Sequence, residues 1–154
     1  GHDGDKSLVL YPARYKNTIA VGSVNDNEEL SIFSAIGESI DFVAVGENVK
    51  GACIDGDFKT MSGTSFSTPY VTSIIAMCLA KHKKQELETG KNDCKNVDQI
   101  REHLIKHYAK DIGPKGKDIY TGHGIIEPTF LIKKEQPKNR LLSFLKRIWR
   151  KIFS

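Results

Sequence analysis

The sequence has no long apolar run and little cysteine. No stretch approaches the roughly 18 unbroken apolar residues of a membrane-spanning helix. Three cysteines are too few for a disulfide scaffold, and 39% hydrophobic residues are too many for a disordered chain. The 154 residues therefore predict one folded domain of ordinary size.

The three cysteines, Cys53, Cys78 and Cys94, are an odd number, so at least one is unpaired. No C-x-x-C pair is present, and a zinc site is therefore not expected. Cys78 lies in an apolar run and is predicted to be a small core residue. Unpaired thiols and a basic tail favour a cytoplasmic or membrane-surface location, with secretion left open.

Positive charge is concentrated at the carboxyl end of the chain. Residues 133–154 hold eight lysines and arginines and one acid, a net charge of +7, whereas the whole chain carries +4, so residues 1–132 carry −3. At about 100° per residue, a helix over residues 141–154 would separate the apolar side chains from the basic ones completely. We predict a body, residues 1–132, and a basic amphipathic tail, residues 133–154.

The tail is predicted to lie on an anionic membrane surface, because a cationic face opposite an apolar face with aromatic residues is typical of interfacial helices. Docking on another part of the protein is the alternative, and nucleic acid is the least favoured partner. The predicted membrane contacts are Leu141, Phe144, Leu145, Ile148, Trp149 and Ile152.

In the body, short apolar runs alternate with helical patterns, which favours a layered α/β domain. Strands are predicted at residues 18–24, 40–45 and 49–54, the last closed by the turn pair Asp55-Gly56. Apolar residues three and four apart predict a buried helix from Ser65, followed by His82 in solvent and a polar loop over residues 83–95. Asn96 and Gln99 resemble a capping box that opens a second helix through Tyr108.

Residues 61–71 are the most informative stretch for chemistry, since a serine follows glycine and threonine where a buried helix begins. The free N–H groups and the dipole of a helix N-terminus favour a developing anion, and the N–H of Ser65 can face an oxyanion. Gly63 lets the backbone turn and lets a substrate approach closely. The alternative is that Ser65 only caps the helix.

The pattern Gly63-Thr64-Ser65-x-x-x-Pro69-x-Val71 resembles the nucleophile signature of the subtilisin-like serine proteases. Residues 11–22, 41–46 and 122–126 also resemble stretches of that family, although Val45 stands where the family usually has proline. The resemblance implies an α/β fold, the C-terminal portion of a subtilisin-like three-layer domain with a parallel sheet. It also implies an endopeptidase that cleaves proteins or peptides by acyl transfer through Ser65 and requires no cofactor.

A triad serine needs a histidine base and an acid that orients it, and in this family both precede the serine. Only 64 residues precede Ser65, and His2 is the one histidine among them. The resemblance therefore implies an Asp- and His-bearing part of the same protease upstream, without which this chain is expected to be inactive. A non-catalytic pseudoprotease or a membrane-surface binding module on the same scaffold is the alternative.

Further site residues are implied by the resemblance. His2 matches the family's oxyanion asparagine, unless it is an ordinary loop residue, and Thr64 is a secondary donor. Leu10 would form the base of the pocket for the side chain that precedes the scissile bond. The Tyr11–Pro12 bond would be cis. The carbonyls of Ala13, Tyr15 and Thr18 match a weak site for calcium or a monovalent cation.

Overall fold

The computed structural model describes residues 8–128 and contains two small sheets and two helices. Its elements are, in chain order, β1 (Val21–Val24), β2 (Phe42–Val45), β3 (Val49–Ala52), β4 (Phe58–Met61), α1 (Thr64–Thr89), α2 (Val97–His107), β5 (Ala109–Lys110) and β6 (Ile125–Ile126). The first sheet has the order β1-β2-β6-β5, in which only β5 is antiparallel. Strands β3 and β4 form a separate antiparallel hairpin. The predicted α/β class with a parallel sheet is confirmed.

The central strand β2 is buried on both faces, as its unbroken apolar sequence indicates. Phe42 and Ala44 face a core shared with both helices, and Val43 faces a second cluster with Val24 and Ile125 on the other side. This alternation follows the two-residue period of a strand. The sheet therefore supplies a rigid base on which the amino-terminal half of α1 packs.

Helix α1 buries one stripe of side chains instead of most of its surface. Its buried residues recur every three or four positions and include Val71, Ile74 and the predicted core residue Cys78. Other large apolar side chains on it, such as Tyr70 and Met77, are exposed. The predicted buried helix is therefore buried along one stripe only.

The carboxyl end of α1 departs from the sequence prediction in two ways. The helix continues to Thr89 through most of the predicted polar loop, because lysine, glutamine and glutamate are good helix formers and Lys83 pairs with Glu86. His82 is buried, not solvated, because its ring packs edge-on against His103 of α2.

Helix α2 begins where the capping box predicts. The Asn96 side-chain oxygen accepts a hydrogen bond from the Gln99 N–H at 2.9 Å. The Gln99 side-chain oxygen accepts from the N–H of Lys95, one residue before the cap, at 2.8 Å. The helix ends at His107, and Tyr108 is its buried carboxyl cap.

His2 and all of the tail lie outside the described residues. The oxyanion role of His2, the boundary at residue 132 and the membrane contacts of the tail therefore remain predictions. Within residues 8–128, neither helix has the length and apolar character needed to cross a membrane.

Candidate active site

Ser65 lies at the start of α1, directly beside the carboxyl end of β2. The N–H of Gly63 donates to the carbonyl of Gly46, the residue after β2, at 2.8 Å. The Ser67 hydroxyl donates to the carbonyl of Ala44 within β2 at 3.0 Å. These two bonds fix the serine turn to the edge of the parallel sheet, where ligands bind in open α/β folds.

The close approach of the serine turn depends on the absence of a side chain at Gly46. A Cβ atom there would lie 2.2 Å from the Ser67 hydroxyl oxygen, 2.5 Å from that of Ser23 and 2.8 Å from the Gly63 carbonyl oxygen. All three distances are shorter than a real Cβ contact. Only glycine therefore fits between the sheet and the turn.

Replacing Gly46 with alanine is expected to lower the free energy of unfolding by about 1–3 kcal/mol, because the added methyl must displace the serine turn. Urea denaturation of both variants and the parent chain measures this change. Gly51→Ala in β3 is the matched control, since its Cβ would meet only Met61 at 3.9 Å. Equal stability of Gly46→Ala and Gly51→Ala would contradict the argument.

Ser65 lies in the first turn of α1 and is not the residue that caps it. The N-cap of α1 is Gly63, at which no side chain forms a capping hydrogen bond. Ser65 is exposed, so its hydroxyl is open to a substrate. Its backbone N–H belongs to the first turn, where helical N–H groups have no acceptor within the helix, and can bind an oxyanion.

Among residues 8–128, no hydrogen bond or ring contact joins a histidine to Ser65. His82 is on the same helix but about 26 Å further along it, at roughly 1.5 Å per residue. His103 and His107 pack in succession next to His82. His123 contacts the ring of Phe42. The described histidines thus form contacts with one another, with Tyr108 and with Phe42, and the role of Ser65 stays a prediction.

The other predicted site residues are distributed over two loops. Gly63 and Thr64 share the serine turn with Ser65, and Thr64 is buried there. Leu10 lies in the first described loop and is 53% exposed, so its side chain is available to form a pocket wall. It directly precedes Tyr11–Pro12, whose peptide bond is cis, as the resemblance predicts.

The three carbonyls of the predicted cation site accept hydrogen bonds from the protein itself. The Thr18 hydroxyl oxygen lies 2.8 Å from the Ala13 carbonyl oxygen and 2.7 Å from that of Tyr15, and its one proton can be donated to either. The Arg101 guanidinium donates to the carbonyl of Thr18 at 2.9 Å. The cation site therefore stays a prediction, and no local pattern in the sequence indicated that Arg101 lies beside it.

Arg101 also joins α2 to both of the first strands. Its Nε donates to Asp41 Oδ1 at 2.8 Å, while Asp41 Oδ2 accepts from the Ala20 N–H at 2.9 Å. The two side chains are only 18% and 9% exposed. Asp41 directly precedes β2, and Ala20 directly precedes β1. This mostly buried ion pair therefore holds the strands that support the serine turn.

The sequence profile of the Subtilase family matches residues 1–124. The minor extracellular protease Epr of Bacillus subtilis (strain 168) is 33% identical over 82% of this chain, which covers 18% of that protein. Subtilisin BL of Lederbergia lenta is 36% identical over 73% of the chain, which covers 38% of it. The chain thus spans well under half the length of both relatives.

Solved structures of similar fold include two proteases. A lanthipeptide protease shares 21% identity at a TM-score of 0.61, and the match covers 80% of this chain and 47% of that one. The self-cleaved protease domain of PatA shares 25% identity at a TM-score of 0.59, over 76% of this chain and 41% of that one. The fold is therefore similar to part of such protease domains.

Proposed function

Because this chain belongs to the subtilase family, we propose that it is the nucleophile-bearing part of a serine endopeptidase acting on protein or peptide substrates. The observation that carries the proposal is the placement of Ser65. It is exposed in the first turn of a helix that the Gly46 and Ala44 carbonyls fix to the carboxyl edge of the sheet. Family membership supports the serine protease class, and the geometry supports Ser65 as its nucleophile.

In the proposed reaction, Ser65 Oγ attacks the carbonyl carbon of the scissile peptide bond while a histidine base takes the hydroxyl proton. Negative charge develops on the carbonyl oxygen, where the Ser65 N–H and the positive end of α1 stabilise it. The base then passes the proton to the leaving amine as the C–N bond breaks. Water, activated by the same base, hydrolyses the acyl ester and restores the serine.

We propose that the base and its carboxylate come from an upstream part of the same protease. Support comes from the short span of the relatives that this chain covers and from the position of its described histidines far from Ser65. The upstream part is thus the partner that completes the site. A non-catalytic scaffold remains the competing function, and it predicts that no base is ever brought to Ser65.

The chain alone is expected to show no turnover of casein or of a peptide amide, because its serine lacks a base. Joined to its own upstream sequence, it is expected to react with a fluorophosphonate probe at Ser65. Peptide mapping by mass spectrometry identifies the labelled residue. Labelling at another serine, or no labelling despite an upstream Asp and His, would contradict the proposal. Turnover by the chain alone that Ser65→Ala abolishes would contradict the need for an upstream base.

A further inference from the structure

A cluster of two histidines and a cysteine lies where the last turns of α1 meet α2, away from the serine turn. His82 is on α1, His103 is on α2, and Cys94 is on the loop between them. One ring nitrogen of each histidine and the Cys94 sulfur lie within 4.8 Å of one another. The proposed proteolysis uses none of the three side chains.

The cluster is mostly buried and has an unsatisfied polar atom. His82 is 6% exposed and Cys94 is 4% exposed, whereas His103 is half-buried. Among the described residues, His82 Nδ1 is the one buried side-chain nitrogen or oxygen without a hydrogen-bond partner. With its proton on Nδ1, the neutral His82 ring offers the other nitrogen, Nε2, as the atom that can bind an ion.

We propose that His82, Cys94 and His103 bind a divalent transition-metal ion of the zinc type. Two imidazoles and one thiolate are a donor set that zinc prefers, and three protein ligands leave a fourth position for water. The Nε2 atoms of His82 and His103 are 3.4 Å apart. Two nitrogens about 2.0–2.1 Å from one tetrahedral ion would be separated by a similar distance, roughly 3.4 Å.

The loop that carries Cys94 is held in place without the ion. The Cys94 N–H donates to the Asn92 side-chain oxygen at 2.9 Å, and the Asn92 amide donates to Glu86 of α1 at 3.3 Å. Asn96 then caps α2. Three ligands from two helices and a fixed loop form a preorganised site, and the ion would cross-link the helices.

Cys94 has a second cysteine, Cys78, near it, so disulfide formation competes with metal binding. Burial and the nearby Cys78 raise the pKa of the Cys94 thiol, so that a metal ion must displace a proton to bind it. Oxidation of the two thiols to a disulfide would instead remove Cys94 from the donor set. The metal experiment is therefore made under a reductant that does not bind metal.

Titration of the reduced, metal-free 154-residue chain with Co²⁺ tests the site, since tetrahedral cobalt reports its ligands by absorption. We expect one equivalent to produce intense d–d bands and a thiolate-to-cobalt charge-transfer band, and Zn²⁺ to displace both. Cys94→Ser should lose the charge-transfer band, and His103→Gln should weaken binding at least about tenfold. Cys53→Ser, at a half-buried position in the β3–β4 hairpin, is the matched control and should retain the full spectrum.

Thermal unfolding with and without Zn²⁺ tests the site even when a substitution lowers the stability of the fold. Each variant is melted with and without Zn²⁺, and only the difference between its two melting temperatures is compared. The parent and Cys53→Ser should be stabilised by zinc, whereas Cys94→Ser should not. Absence of stoichiometric cobalt binding, a charge-transfer band that survives Cys94→Ser, or equal stabilisation of Cys94→Ser and Cys53→Ser would overturn the proposal.

Discussion

Replacing Arg101 with methionine is expected to lower the free energy of unfolding by about 3 kcal/mol or more, because removal of one partner leaves a buried charge uncompensated. Two N–H groups among the described residues donate to the Asp41 carboxylate, those of Ala20 and Arg101, and only that of Ala20 would remain. The Thr18 carbonyl would lose its donor as well. Urea denaturation followed by circular dichroism measures the change.

Lys110→Met is the matched control, because Lys110 pairs with Glu28 and Glu127 at the surface, where water and salt screen the interaction. Its effect should be small and should decrease further with added salt. The double variant Arg101→Met with Asp41→Asn should recover part of the loss, since it removes the stranded charge. An Arg101→Met effect no larger than that of Lys110→Met would contradict the buried ion pair.

Removal of the Ser65 hydroxyl should abolish proteolysis by the chain joined to its upstream sequence. We expect Ser65→Ala to lower kcat on the order of 10⁶-fold, which is the loss a subtilisin triad shows without its serine. The physical reason is that no acyl enzyme can form, and only the oxyanion donors and substrate binding still act. Initial rates on a peptide amide substrate measure the loss.

Ser73→Ala provides the control for this variant. Ser73 is exposed on α1, and its hydroxyl donates to the Pro69 carbonyl of its own helix at 2.8 Å. The proposed reaction does not use it, so the rate should stay within a factor of about two of the parent, as surface substitutions usually have small effects. A Ser65→Ala protein that retains most of its activity would rule out Ser65 as the nucleophile.

Local sequence signals predicted the elements that position Ser65. The start of α1, the cap at Asn96 and the strand β2 each have short-range causes: helix period, capping chemistry and an unbroken apolar run. The turn pair Asp55-Gly56 was recognised, but the strand after it was not. Every residue of β4 is exposed. Phe58–Met61 therefore lacks the alternation of buried and exposed residues that indicates a strand.

The features that sequence reasoning missed depend on residues distant along the chain. Nothing near Arg101 indicates that its guanidinium meets Asp41 and the Thr18 carbonyl. His82 was predicted in solvent because the helix was expected to end there, whereas its burial results from contact with α2. The donors of the proposed metal site come from two helices and a loop, so no short spacing rule could detect them.

The Arg101 guanidinium affects which solution conditions leave the loop of Ala13, Tyr15 and Thr18 intact. A bound ion dissociates when its free concentration falls, and chelators or dialysis can remove it. A guanidinium is tethered by its own backbone and keeps its charge at every pH the fold survives. The Thr18 carbonyl of this loop is therefore held by a charge that neither chelation nor dialysis can remove.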